Sequence, residues 1–297
     1  MQVRHHLRNF SNIMLWINKR KGKYKRCGHK WAKSFLSDGW DLTQEKYIAC
    51  DYTNYKRDYP IENLLYEEQH HYCCYCMRRL SLGVNTTIEH VVPHKSDNST
   101  EEGRDNIAYY LSLHKFLKKN VFFALLDEKH GLSKKKIKKL PPFPHFCAYE
   151  NLVLSCDGSI WDGDYPGKDQ VRKLHETCNN LRGTKRIIPM FYIRNINKIL
   201  RYHQDGRLIY NDKYESTIKA VKLDHPTLIL IRKTWAQLAI VSSIVQVNNA
   251  IIDRNLRDEI ISMCDLDLYE INRIKDSNLW KLLSEYSWFY KYYRCNW

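Results

Sequence analysis

The chain has 297 residues and a formal net charge of +15 at pH 7, from 48 Lys and Arg against 33 Asp and Glu. Its 43% hydrophobic content and few Gly and Pro exclude collagen-like and low-complexity chains and favour one large or two smaller packed domains. No apolar stretch reaches the roughly 20 residues that span a bilayer, and polar residues interrupt the best candidate, residues 238–252. The first residues also lack a signal-peptide core. We therefore expect a soluble, cytoplasmic protein without a membrane partner, and the positive charge favours a nucleic acid as its ligand.

The first region, residues 1–65, is predicted to be basic and helical. Its run at residues 19–26 carries six cations in eight positions, which suits either a solvated turn or a phosphate-contacting surface. Apolar and charged residues alternate at helical spacing over residues 61–69 and predict a helix that leads into the following cysteines.

The second region covers residues 66–188 and begins with a predicted strand. β-branched residues surround Glu89 and His90, and this enrichment predicts a strand that Pro93 ends. A helix-like polar stretch follows from about residue 100 to residue 130.

A second predicted strand follows the first after a linker of about 60 residues, far longer than the usual hairpin loops of about 2–5 residues. We interpret this linker as a substrate-reading insert. The second strand covers residues 150–156 and ends on a cysteine. A helix is expected to resume near Lys173 and to run past Cys178.

The third region, residues 189–297, is predicted to be a hairpin followed by a helical domain. Short apolar runs flank Asp205-Gly206, and Asp-Gly in this setting is a strong hairpin signal. From Glu215 onward apolar residues recur at helical spacing, notably over residues 228–247, 256–263 and 279–290.

Four cysteines predict a structural zinc site, namely Cys73, Cys76, Cys156 and Cys178. The first two form a Cys-x-x-Cys pair that can clamp one zinc ion from a single turn, and tetrahedral zinc then requires two further ligands. The later two are the natural second pair, with His175 as an alternative fourth ligand. Free cysteines are also common as small buried hydrophobic residues, and Cys74 is expected to lie beside the site without binding the metal.

The polar residues around these cysteines follow a specific order. Glu89-His90 lies between the two cysteine pairs, Asn151 stands at the start of the second strand, and Asn179 follows a cysteine in the phrase Cys-Asn-x-x-Arg-Gly. This ordered set resembles the HNH endonuclease superfamily. The resemblance implies an α+β, mainly helical protein, in which a zinc-stapled ββα-metal HNH core is joined to a helical C-terminal domain.

The resemblance also implies roles for individual residues. His90 matches the general base that takes a proton from the attacking water, and Asn151 matches the central Asn that fixes the loop and helps orient that base. Glu89 and Asn179 match the ligands of a catalytic ion, and their oxygen donors suit Mg²⁺ or Mn²⁺. Glu89 stands where Asp is commoner in the family, which lengthens this arm by one methylene.

Four phrases resemble a narrower group, the PtuB-like nucleases of Septu-type anti-phage systems. They lie at residues 72–77, 88–96, 144–152 and 202–206, the last followed by Thr217-Ile218. Because those nucleases work beside a PtuA-like ATPase, the resemblance implies such a subunit as a partner and a role in bacterial anti-phage defence. We expect DNA, double-stranded, as the target.

Basic residues near the catalytic strands are expected to hold the nucleic-acid backbone without reading bases. They are five lysines of the insert and two cations that follow the second metal ligand: Lys134, Lys135, Lys136, Lys138, Lys139, Arg182 and Lys185.

Two alternative functions stay open from the sequence. One is a non-catalytic, zinc-stapled nucleic-acid-binding subunit, which would need the cysteines and the basic surface but not the Glu, His and two Asn residues together. The joint presence of these four residues argues against it. The other alternative is an RNA or tRNA nuclease, which differs from a DNA nuclease only in its target.

Overall fold

The structure is a computed structural model that describes residues 16–19, 22–41, 46–47, 61–93, 100–113, 148–160, 176–276 and 278–296. Over these residues the fold is mainly helical, with a few short strands, and is α+β in character, which confirms the predicted class at that level. The described strands are β1 (Trp40–Asp41), β2 (Lys46–Tyr47), β3 (Thr86–His90), β4 (Leu152–Cys156), β5 (Leu200–Tyr202) and β6 (Leu208–Tyr210). The described helices are α1 (Lys23–Gly39), α2 (Ile61–Glu68), α3 (Glu101–Leu113), α4 (Cys178–Arg182), α5 (Glu215–Ala220), α6 (Pro226–Val241), α7 (Ile244–Ile252), α8 (Arg254–Ser262), α9 (Leu268–Asp276), α10 (Leu279–Glu285) and α11 (Trp288–Asn296).

Within the described residues no single helix is both long enough and apolar enough to cross a membrane. Helices α6 and α7 reach that length and apolarity only when they are taken together, and the pair is bent by 119° at its break.

The chain forms two compact units, each assembled from separate stretches of sequence. The first unit contains Trp16 and the described residues of 72–81 and 155–297. The second contains the described residues of 17–71 and 82–154. The boundaries of the three consecutive regions given above stay a prediction.

The second unit contains a buried ion pair between Lys19 and Glu68. The Lys19 ammonium lies 2.5 Å from a Glu68 carboxylate oxygen and 4.0 Å from the centre of the Tyr149 ring, and the Tyr149 hydroxyl donates to the other Glu68 oxygen. The cation run at residues 19–26 predicted either a solvated turn or a phosphate-contacting surface. Lys19 fits neither prediction, because its side chain is buried. An isolated buried ammonium would be unstable, and the carboxylate and the ring face compensate it.

The predicted strands of the second unit are confirmed with one correction. β3 hydrogen-bonds to β4, and β3 ends at His90, ahead of Pro93. Residues 150 and 151 are not in the second strand, because Tyr149–Asn151 forms a 3₁₀ turn and β4 begins only afterwards. The backbone N–H of Asn151 closes this turn on the Ala148 carbonyl (2.8 Å), so it is not free for a strand ladder.

The predicted helices of this unit are confirmed where the structure describes them. The periodic pattern at residues 61–69 forms α2, and Gln69 just after it holds β4 through its side-chain amide. Gln69 accepts from the Leu154 N–H (2.6 Å) and donates to the Leu154 carbonyl (2.8 Å). The polar stretch from residue 100 forms α3, and the remainder of that predicted helix lies outside the described residues.

The hairpin and helices of the first unit follow the sequence prediction with one interruption. β5 and β6 pair antiparallel around Asp205-Gly206. The segment predicted as one helix over 228–247 is two, because Ser243 starts a new helix with a capping box. Its hydroxyl accepts from the Gln246 N–H (3.2 Å), and the Gln246 side chain accepts from the Ser243 N–H (2.7 Å). This reciprocal pair satisfies two backbone donors that a helix start otherwise leaves open.

Candidate metal centre and catalytic loop

The Cys-x-x-Cys pair lies in a tight knuckle of the first unit. The Cys73 N–H donates to the Arg78 carbonyl (2.9 Å), and the Met77 N–H donates back to the Cys73 carbonyl (3.3 Å). Met77 takes a positive φ of 64°, which turns the chain sharply. The Tyr75 N–H points at the Cys73 Sγ (3.4 Å), a contact that stabilises a thiolate at this position.

The second pair of cysteines is brought together by a close approach of two backbone segments. The Thr177 N–H and hydroxyl both donate to the Gly158 carbonyl (2.9 and 3.2 Å), and Gly158 has φ of 78°. A Cβ at Gly158 would lie 2.1 Å from the Thr177 carbonyl oxygen, so only glycine permits this approach. The two segments follow Cys156 and precede Cys178, which explains how cysteines far apart in sequence meet.

The helix expected to run past Cys178 begins there instead. Glu176 forms a bridge with Ser159, and Thr177 is extended, at φ of −137°. Cys178 itself has φ of 55°, and its N–H donates to the Val221 carbonyl (3.0 Å). These tertiary bonds use backbone N–H groups that an earlier helical turn would need. The helix therefore begins at Cys178 and does not extend back through Glu176 and Thr177. The predicted start near Lys173 lies outside the described residues.

The four predicted zinc ligands converge on one buried point. Their Sγ atoms all lie within 4.8 Å of one another, and each residue is at most 3% exposed. Cys76 and Cys156 are 3.6 Å apart, and Cys73 and Cys178 are 4.0 Å apart. A tetrahedron with zinc–sulfur bonds of about 2.3 Å has sulfur–sulfur edges of about 3.8 Å, so the donor set fits. The cluster is suited to hold a metal such as zinc, and it completes a tetrahedral set without His175, which lies outside the described residues.

Two side chains around the cysteine cluster complement its charge. The Tyr286 hydroxyl lies 3.6 Å from the Cys76 Sγ, within hydrogen-bond distance of sulfur. Arg78 interacts electrostatically with Cys156 and is itself held by Asp157 (3.1 Å), by the Ser159 carbonyl (2.6 Å) and by Glu285. Four thiolates around Zn²⁺ carry a net charge of −2, so a buried guanidinium and a hydroxyl donor suit the surroundings of such a centre.

The thiols of the knuckle differ in acidity. Burial opposes ionisation of Cys73, but hydrogen bonds with Cys156, Cys178 and Cys74 outweigh it and lower the pKa of Cys73 to about 5. Burial raises the pKa of the Cys74 thiol well above its usual value, and its charged neighbour Cys73 adds to that shift. Cys74 is thus a neutral, buried thiol outside the four-residue cluster.

The predicted catalytic loop lies in the second unit and is held by a buried amide. The Asn151 side chain accepts from the Val92 N–H (2.6 Å) and donates to the Val92 carbonyl (3.1 Å), while the Asn151 carbonyl accepts from the Val91 N–H (2.9 Å). Three bonds therefore fix the two residues that directly follow His90. At the end of β3 Glu89 is buried and His90 is half-buried, as adjacent positions of a strand face opposite sides.

The remaining predicted site residues have separate placements. Asn179 is half-buried in α4 of the first unit, so the two predicted magnesium ligands, Asn179 and Glu89, belong to different units. Lys185 is exposed. Arg182 is 1% exposed and donates to the Lys185 carbonyl (3.3 Å) and the Tyr75 hydroxyl (3.5 Å), so we do not retain it as a nucleic-acid contact. The predicted contacts in the insert, residues 134–139, lie outside the described residues.

Three residues of these sites carried no signal in the sequence analysis. Gln69, Arg78 and Tyr286 act through contacts with residues that are distant in sequence, and no spacing rule singles them out. An indirect signal exists only for Arg78, because a cation directly after a Cys-x-x-Cys pair is well placed to balance thiolate charge.

No family model matches the chain, and no curated protein matches it.

Proposed function

We propose that the protein is a metal-dependent, HNH-type endonuclease that hydrolyses phosphodiester bonds in DNA. The observation that supports this most directly is the Asn151 clamp on Val92, two positions after His90. The family resemblance calls for a central Asn that fixes the loop beside the general base, and a buried, doubly bonded amide is suited to that task.

In this proposal His90 removes a proton from the attacking water. A half-buried imidazole keeps access to solvent, and imidazole is the side chain that most often serves as a general base. Asn151 fixes the backbone that carries the imidazole and so limits its orientation. Glu89 and Asn179 are the proposed ligands of Mg²⁺ or Mn²⁺, which when bound would neutralise phosphate charge and stabilise the leaving oxygen.

The cysteine cluster is proposed to hold zinc as a structural ion. Four sulfur ligands leave no open coordination position, so the ion would not take part in hydrolysis. The free energy of zinc binding would contribute to folding, because the ion would hold the Cys-x-x-Cys knuckle, the end of β4 and the start of α4 together.

A protein partner is part of the proposal. Large apolar side chains are exposed on α7 and α9, at 89% for Ile252, 74% for Leu268 and 72% for Tyr269. We propose that these side chains contribute to a docking surface for the partner, as exposed apolar patches do. The proposal that this partner is a PtuA-like ATPase, in anti-phage defence, follows from the family resemblance.

The test is incubation of the purified chain with supercoiled plasmid, linear duplex or tRNA, with and without added Mg²⁺. Omission of Mg²⁺ is preferable to a chelator, which would also remove zinc. We expect Mg²⁺-dependent nicking of DNA. A parallel arm would add an ATPase, if a neighbouring gene encodes one. Cleavage of tRNA alone would favour the RNA nuclease, and binding without cleavage in every arm would favour the non-catalytic subunit.

A further inference from the structure

The β5–β6 hairpin of the first unit has one buried face and one exposed face. Its register pairs Leu200 with Tyr210, Arg201 with Ile209, and Tyr202 with Leu208. Arg201 and Ile209 are exposed, whereas the strand neighbours of Arg201 on both sides are buried. The strand alternation therefore directs a cation to solvent from the middle of the ribbon.

The tip of the hairpin is held rigidly against the helices. The Tyr293 hydroxyl donates to the His203 carbonyl (2.9 Å), and the buried Arg232 guanidinium donates to the Gly206 carbonyl (2.6 Å). Gly206 has φ of 83°, and a Cβ there would lie 2.0 Å from the Ile229 carbonyl oxygen. The tip can therefore approach α6 only with glycine at this position, and its direction is fixed by several independent contacts.

Aromatic packing connects the hairpin to the cysteine cluster. The Tyr286 hydroxyl contacts Cys76, the rings of Tyr286 and Phe289 are stacked at 6.3 Å, and the ring of Phe289 packs edge-on to Tyr202 at 4.9 Å. These buried rings, together with Tyr292, join β5 to the cluster through close-packed contacts. Because close-packed interiors deform little, the β5–β6 hairpin has a defined position relative to the cysteine cluster.

Positive charge is concentrated around this ribbon. Residues 185–213 contain seven Lys or Arg against two Asp, a net of 7 − 2 = +5, and all seven cations are exposed. Residues 234–272 of the same unit contain two Arg against six Asp or Glu, a net of 2 − 6 = −4. The cationic excess is thus unevenly distributed along the sequence, and the stretch that contains the hairpin attracts a polyanion more than the stretch that contains α7 and α8.

Arg207 extends the exposed face at the tip. Its backbone N–H donates to the Asp205 carboxylate (2.9 Å), and its guanidinium lies 3.9 Å from that carboxylate while its side chain stays 76% exposed. Arg201 lies on the same face two positions before His203, whose side chain is 50% exposed. Two arginines on a rigid ribbon present planar donor groups that match phosphate geometry with little loss of freedom on binding.

We propose that the exposed face of the β5–β6 hairpin binds the phosphate backbone of the nucleic acid through Arg201 and Arg207. The identity of the polyanion rests on the proposed function, whereas the location of the contact rests on the geometry of the hairpin. The ribbon would position the substrate and would not select its sequence, since phosphate contacts carry no base information.

The test is equilibrium binding of the full, zinc-loaded chain to a fluorescently labelled duplex without Mg²⁺, at several salt concentrations. Arg201→Gln and Arg207→Gln should each lower the log–log salt slope by about 0.9, which corresponds to about eightfold weaker binding per contact at 0.1 M salt. Arg254→Gln removes one exposed charge from the acidic stretch and should leave slope and affinity at the parent values. Equal melting temperature and zinc content would show that the variants are folded.

Unchanged slopes in both hairpin variants, or equal losses in the Arg254→Gln control, would overturn the proposal. The first result would show that neither arginine contacts the nucleic acid, and the second would show that only the overall charge of the chain matters. Either result leaves the nuclease proposal standing if the parent still cleaves plasmid with Mg²⁺. Failure of the parent to bind any duplex overturns the hairpin proposal as well, and plasmid cleavage then judges the nuclease proposal separately.

Discussion

Removing the Asn151 amide should open the loop that follows His90. In Asn151→Ala the Val92 N–H and carbonyl lose their side-chain partners (2.6 and 3.1 Å), and Val92 is only 3% exposed. A buried polar group without a partner costs about 1–3 kcal/mol, so two of them cost about 2–6 kcal/mol. Since 1.4 kcal/mol is a factor of ten, protection of the Val92 amide should fall by roughly 30-fold to 20,000-fold, measured by hydrogen exchange.

A matched control exists in the same unit. Gln69 makes the same pair of bonds to Leu154, at 2.6 and 2.8 Å, and both residues are fully buried. Gln69→Ala should therefore destabilise the backbone around Leu154 by a similar amount. The two variants differ in location, since only the Asn151 clamp adjoins His90.

Cleavage assays then separate stability from function. At a temperature where both variants are folded, Asn151→Ala should cut plasmid at least about 10²-fold more slowly than the parent, because the base is no longer oriented. Gln69→Ala should stay within about tenfold. Equal cleavage rates in the two variants, or full amide protection at Val92 in Asn151→Ala, would show that the Asn151 side chain does not position His90.

Three further predictions concern the cysteine cluster and the buried ion pair. Cys156→Ser should lose bound zinc and become poorly soluble, whereas Cys74→Ser should keep about one zinc per chain by metal analysis, because Cys74 lies outside the cluster. Tyr286→Phe should fold and bind zinc about 10–100-fold more weakly in a chelator competition, since the cluster loses a hydroxyl donor. Lys19→Met should lower the melting temperature by an amount equivalent to about 3–5 kcal/mol, and adding Glu68→Gln should restore part of it, because the stranded carboxylate is then gone. If the loss of stability in the double variant equals the sum of the losses in the two single variants, Lys19 and Glu68 are not coupled.

Local signals in the sequence predicted the elements that depend on short-range chemistry. The Asp205-Gly206 turn specified the hairpin, and the β-branched residues around Glu89 specified β3. The Cys-x-x-Cys spacing and the residue order predicted the cysteine cluster, although His175 stayed open as a ligand. These features are encoded within a few residues of one another, or by residue types with one dominant chemistry.

The features that the sequence did not predict depend on tertiary contacts. The start of α4 moved to Cys178 because Thr177 bonds to Gly158, and this partner is distant in sequence. The burial of Lys19 depends on Glu68, which no local pattern connects to it. Arg182 was expected to face nucleic acid from its charge alone, but its donors are used within the protein. Charge and periodicity describe what a residue can do, whereas packing decides what it faces.

One rate comparison decides whether His90 is the general base of a metal-dependent nuclease. Single-turnover cleavage of supercoiled plasmid with Mg²⁺ would be measured for the parent, His90→Ala and His71→Ala, which removes a partly exposed histidine of the same unit. His90→Ala should be slower by about 10²–10⁴-fold, with plasmid binding and zinc content unchanged, while His71→Ala should match the parent. Cleavage by His90→Ala at the parent rate would contradict the account.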